Sequence, residues 1–339
     1  MFLKTVILPP NILEIRNSCF SYVNSLLSID IPDSLLYLGD KVFEGRLQSI
    51  NISNNSKLER IGSFCFADSQ LSSFYIPKSL KSIDTSALMC PLINIIVDQD
   101  NPTYKYENYS LLLKDNSTLL KVIKSFTSDY IVPDYIKNIS NSCFSDCNKI
   151  TSIQLHENIA SIGSYAFYGC EGLINIKIPE KITVIQSHSF YKCISLKNIT
   201  IPKRVKVIES YAFSNCFSLA NITIPESVTE IKSSAFSNCN SSASITIPES
   251  VTVIESNAFL NCASLTSIKI PESITVIEYC AFSFCTSLTS ITIPESVTVI
   301  ESYAFSYCES LASITIPGNV SSINDSAFRF CTNLKKLRF

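Results

Sequence analysis

No tryptophan occurs in this chain, and only two histidines, two methionines and seven glycines are spread over its 339 residues. His156 and His188 stand far apart in sequence, with neither the spacing of a metal pair nor a local partner for a catalytic triad. The few glycines form no Gly-rich loop of the kind that follows a strand and cradles a phosphate. Charge is scarce and balanced. Only 17% of residues are charged and the net charge is −2, which excludes the dense basic face of a nucleic-acid binder. No run of like charge reads as an interaction tail. Long hydrophobic runs are missing too, and no window approaches the ~20 apolar residues of a membrane helix. The short segment Val6-Ile7-Leu8 fails as a signal peptide on length and flanks. A cytoplasmic location is the expectation from the lack of a leader and of a membrane segment.

What the chain does have is a period. Phenylalanine recurs at Phe144, Phe167, Phe190, Phe213, Phe236, Phe259, Phe282, Phe305 and Phe328, every 23 residues. A cysteine follows each one three residues later, from Cys147 to Cys331, and a proline keeps the same step from Pro179 to Pro317. A fixed period in the 20s is the signature of a solenoid, in which no single repeat can bury its own apolar face. The apolar fraction of 46% is ample for a core shared between stacked coils. The sequence is therefore expected to form one domain over residues 1–339. Residues 1–97 make degenerate coils, 98–132 an irregular coil, and 133–339 regular repeats. In the irregular stretch, Leu111–Leu113 and Leu119–Val122 flank Lys114-Asp115-Asn116-Ser117, the pattern of a β-hairpin.

Residues 288–310 show what one coil does. Ile291 and Ile293 alternate with Ser290 and Thr292, the period of a half-buried strand. Pro294 lacks the N–H that a ladder needs and stops that strand. Val297 and Ile300 mark a second short strand rich in β-branched residues. Phe305 and Cys308, three apart, suit one helical or 3₁₀ turn. The expected coil is strand, turn, short second strand and helical turn, which places the fold in the α/β class with a parallel sheet.

The run Ile293-Pro294-Glu295-Ser296-Val297-Thr298-Val299-Ile300-Glu301-Ser302, continued by Ala304-Phe305, Cys308, Leu311 and Ile314, resembles the BspA-like class of leucine-rich repeats. The likeness covers almost the whole chain, with His156 in place of proline and Leu88 in place of phenylalanine. Asn101-Pro102 followed by Tyr104 looks like the irregular coil such proteins often carry. The resemblance implies a right-handed leucine-rich-repeat solenoid with its parallel sheet on the concave face. It also implies a non-enzymatic binding role, as in surface antigens and adhesion-type proteins, and hence a cell-surface or extracellular location as the alternative to the cytoplasm.

Five files of residues are candidates for function. The cysteine ladder is expected to be reduced and buried, because equivalent side chains in stacked coils point the same way rather than at each other. Glu226, Glu249, Glu272 and Glu295, with Glu255, Glu278 and Glu301 beside them, form acidic files that solvent and counter-ions can satisfy without a calcium site. No cofactor or metal is expected. Lys177, Thr200, Thr223, Thr246, Lys269, Thr292 and Thr315 are the outward strand positions, and the face they make is the expected protein-binding surface. Phe284, Tyr307 and Phe330 replace polar residues two places after the ladder phenylalanine. With Phe339 they are the expected site of a weak homodimer, the mark of a structural self-assembling protein as the alternative function. The protein partner itself cannot be named from these residues, and no nucleic acid or membrane span is expected.

Overall fold

The computed structural model describes residues 3–123 and 129–338. They fall into two compact units, one within Met1–Thr127 and Pro133–Cys147, the other within Ser128–Val132 and Asn148–Phe339. Each is a leucine-rich-repeat β-solenoid of coils of about 23 residues whose strands form parallel sheets.

In the second unit the first strands of successive coils join an eight-stranded parallel sheet that runs from Tyr130–Ile131 to Ser290–Thr292. The register carries each residue onto its equivalent one coil later, as in Asn175↔Asn198, Ile176↔Ile199 and Lys177↔Thr200. In Asn175–Lys177, Asn198–Thr200, Ser244–Thr246 and Ser290–Thr292 the central isoleucine is buried and its two neighbours are exposed. Short second strands pair in the same way, for example Val184–Ile185 with Val207–Ile208. Between the two strands the proline carbonyl accepts the N–H three residues on, as in Val297 to Pro294 at 3.1 Å. Proline thus ends the first strand and opens the turn to the second.

The expected helical turn is not there. Among the described residues the one helical element is a 3₁₀ segment at Thr85–Leu88, in the coil where Leu88 stands for phenylalanine. Elsewhere two residues per coil take the left-handed conformation, one two places before the phenylalanine and one two places after it. Tyr303 (φ 61°) and Tyr307 (φ 59°) are one such pair. A left-handed residue cannot continue a right-handed helix. It turns the backbone donors outward instead, so Tyr303, Phe305 and Tyr307 donate to Asp325, Ala327 and Arg329 of the next coil at 3.0, 2.8 and 2.7 Å. The Phe–Cys spacing is therefore a closed turn, Cys308 N–H to Phe305 O at 3.3 Å, inside a third inter-coil ladder.

Inside this ladder the phenylalanines stack in a column. Ring centroids are 5.0 Å apart for Phe167 and Phe190 and 5.6 Å for Phe236 and Phe259. The cysteines do more than fill space. From Cys193 to Cys331 each ladder thiol donates to a phenylalanine carbonyl of the preceding coil, as in Cys216 to Phe190 at 3.1 Å and Cys262 to Phe236 at 3.3 Å, whereas Cys147 donates to Val122 O. All fourteen cysteines are reduced, and those from Cys147 to Cys308 in the ladder are buried.

In the first unit the regular coils give way to a three-stranded antiparallel meander, Tyr104–Glu107, Ser110–Leu113 and Thr118–Val122. The last of these returns to parallel pairing with Asn138–Ile139. Two buried polar side chains make the change of pattern. Asn101 donates to Pro77 O (2.7 Å) and Leu80 O (3.1 Å) while its own oxygen accepts from the N–H groups of Thr103 and Tyr104. Lys121 donates to Ser145 Oγ (2.6 Å) and Ser142 O (3.1 Å), and the Val122 N–H donates to Cys143 O (2.8 Å). Those groups lie where a regular coil would accept backbone donors from the coil before it.

Candidate protein-binding face

The outward strand positions form one exposed row. Lys177, Thr200, Thr223, Thr246, Lys269 and Thr292 are in register from strand to strand, and all are exposed. Thr315 is exposed on a strand that pairs with Lys336–Arg338. Strand alternation sends the isoleucines inward, so a polar row rides over an apolar floor.

The row is not uniform. Near Lys177 the sheet face holds a depression of about 510 Å³ lined by Ser152, Gln154, Asn175, Lys177, Asn198 and Thr200. A second, of about 440 Å³, shares Thr200 and runs over Lys203, Thr223 and Pro225 between Glu180 and Glu226. Lys177 donates to Glu157 at 2.8 Å, and Glu157 also accepts the Glu180 N–H at 3.0 Å. These hydrogen bonds hold the Glu157 carboxyl below the usual range and raise the Lys177 ammonium. Lys269 repeats the arrangement with Glu249 (2.6 Å) and the Glu272 N–H (3.1 Å).

Three carboxylates of the acidic files, Glu249, Glu255 and Glu301, are held by the coils themselves. Lys232 interrupts the second file and pairs with both Glu230 (2.6 Å) and Glu255 (3.1 Å), which push its pKa up to about 12. Glu301 accepts from Asn324 at 2.8 Å. Burial, and then the neighbouring Glu301, raise the Glu278 carboxyl. Among the described residues no three of His, Cys, Asp and Glu converge as a metal site would require.

Phe284, Tyr307 and Phe330 occupy left-handed positions and stack outside the core, with centroids 4.2 and 4.6 Å apart. Phe284 is 41% and Phe330 47% exposed. In earlier coils the same position carries a hydrogen-bonded amide file, Asn238 to Asn215 at 2.9 Å and Asn261 to Asn238 at 2.7 Å. Phe339 lies outside the described residues.

Sequence reasoning passed over one cluster. His188 lies between Tyr165 and Tyr211, with centroids 4.5 and 4.6 Å away, and Tyr168 and Tyr191 stack beside them at 5.1 Å. Ser187 Oγ lies 2.8 Å from His188 Nδ1 and 3.1 Å from Ser210 O, within hydrogen-bond distance of both. Burial lowers the His188 pKa. The signal was readable as aromatics at the same step, Tyr165, His188 and Tyr211, each just before the coil's Ala/Ser-Phe pair.

The fold has known relatives. A leucine-rich repeat protein from Eubacterium ventriosum superposes with a TM-score of 0.58 at 23% identity, over 87% of this chain and 80% of that one. One from Bacteroides ovatus gives 0.54 at 24% identity, over 96% and 82%. The pneumococcal vaccine antigen PcpA gives 0.55 at 20% identity, over 96% and 71%. At these identities the likeness is one of fold. No curated protein matches the chain. The family profile described as "BspA type Leucine rich repeat region (6 copies)" matches residues 2–103, 123–243 and 240–339. With both units built from its coil, the chain belongs to the BspA-type leucine-rich-repeat family.

Proposed function

We propose that this protein is a non-enzymatic binding module that engages a protein partner through the sheet face, the concave face of a right-handed solenoid. The row Lys177, Thr200, Thr223, Thr246, Lys269, Thr292 and Thr315 carries the contact. The observation that supports the reading is the in-register exposure of these residues over a buried isoleucine floor. A surface or adhesion-type role fits the family; PcpA, a relative in fold, is a vaccine antigen. The fourteen reduced thiols fit the cytoplasm. Cell-surface display is the alternative, and protease accessibility on intact cells separates the two. The test of function is capture of the partner by wild type and by Thr200→Tyr with Thr223→Tyr, which add bulk to the face without charge. Loss of the captured protein is expected; full retention would overturn the assignment.

A second reading, self-association, has its own observation in the exposed stack Phe284–Tyr307–Phe330. Sedimentation across dilution checks it. A weak homodimer abolished by Phe330→Asp is the expected result, and a monomer at every concentration would remove it.

A further inference from the structure

We infer that the sheet face does not bind along its whole length but recognises an extended acidic peptide at the coils around Lys177. This rests on the reading of that face as the binding surface and adds where on it the partner lies and what the partner carries.

Along its length the face departs from its own repeat. From Ser244 to Thr315 the outward positions are Ser and Thr, broken only by Lys269, and the last strand then places Lys336 and Arg338 in register with Ser313 and Thr315. At the other end they are Ile131, Gln154, Asn175, Lys177 and Asn198. Ile131 lies opposite Gln154 in register and is 65% exposed, an apolar side chain on a face otherwise polar. Beside it lies the depression of about 510 Å³ lined by Gln154, Asn175 and Lys177. Carboxamides offer both donors and an acceptor, which suits the amides of a peptide main chain. The row holds no aromatic ring on which a sugar could stack. Lys177 uses one of its three donors on Glu157 and keeps the others for a ligand carboxylate.

Charge places the partner's sign. Residues 171–209 carry seven basic and three acidic side chains, whereas residues 210–310 carry two basic and nine acidic ones. Lys181, Lys203 and Arg204 are exposed on the turns that follow the strands of the first stretch. Glu157, Glu180 and Glu226 offset part of this locally, so the site is moderately rather than densely basic. An acidic peptide is drawn to the Lys177 coils and repelled by those of residues 210–310, which separate this basic stretch from a second one at Arg329, Lys335, Lys336 and Arg338.

Lys269 is an internal control, since it sits in the same row with the same kind of ion pair to Glu249. The experiment is fluorescence anisotropy with a labelled peptide alternating glutamate with leucine and threonine, its lysine-for-glutamate counterpart, and heparin. The acidic peptide should bind in a salt-dependent way. Lys177→Glu and Gln154→Ala should each weaken it about five- to tenfold, the scale of a lost contact at an electrostatically steered surface. Lys269→Glu should change it less than twofold. Melting curves confirm that these exposed substitutions leave the fold intact. Equal effects of Lys177→Glu and Lys269→Glu, binding of the basic peptide, binding of heparin alone, or no binding at all would each overturn the inference. The broader reading would survive if the captured partner were lost with Thr200→Tyr and Thr223→Tyr but kept with Lys177→Glu.

Discussion

Phe236 sits between Phe213 and Phe259 with ring centroids 5.5 and 5.6 Å away and no exposed surface. Its truncation to alanine should cost about 3–5 kcal/mol, the range for a buried phenylalanine, and the damage should spread to the coils that share its faces. Thr246→Ala, on the exposed row, should stay within about 0.5 kcal/mol. Thermal melts of the two variants check the assignment of faces, and equal shifts would contradict it. His188 gives a pH signature. Its folded pKa is lowered by burial, so the unfolded chain binds the proton more readily. Stability should be full above the unfolded value of about 6.5 and should fall as the pH drops through it toward the folded value. His188→Tyr, which continues the Tyr165–Tyr211 stack, should flatten that part of the pH dependence in denaturant titrations. The ladder thiols should react slowly, because burial raises the pKa of Cys262 to about 12 and leaves almost no thiolate near neutrality. A dye count should find all fourteen only after denaturation.

At the scale of elements, the strands were legible and the turns were not. Alternation in Ser290–Thr292 and the stop at Pro294 name the first strand from sequence alone, because burial on one face leaves a period of two. Phe305 and Cys308 misled, since a spacing of three fits both a helix and a closed turn. The deciding signal was two places after the phenylalanine, where Asp146, Gly169, Asn215, Asn238 and Asn261 are residue types that tolerate left-handed backbone. That position also explains why the aromatic file stands out: Phe284, Tyr307 and Phe330 accept a conformation that costs a bulky residue about 1–2 kcal/mol. Phe284→Asn should therefore leave the melting temperature unchanged or raise it, unless the lost stacking on Tyr307 outweighs the relief, which a drop in melting temperature would show. In the irregular coil, Asn101 was legible as turn chemistry but not as the buried residue that joins two coils, because its partners are main-chain atoms some 21 and 24 residues away. Asn101→Ala should destabilise the first unit by about 3 kcal/mol, since it strands several buried backbone groups at once.

For the whole molecule, repetition hides function as well as it reveals fold. Near-identical coils make the exposed row easy to find, yet the row's chemistry differs along its length, from the Lys177 depression to the threonines around Thr292. The face that binds is therefore a matter of contact, not of motif. The most direct measurement places a photo-crosslinking amino acid at Thr200 on the sheet face, at Thr275 on the second-strand face, or at Phe284 on the turns, in the native cell. The account predicts adducts to a different protein from Thr200 and few from the other two. Heterologous adducts from Thr275 with none from Thr200, or only adducts between copies of this chain from Phe284, would contradict it.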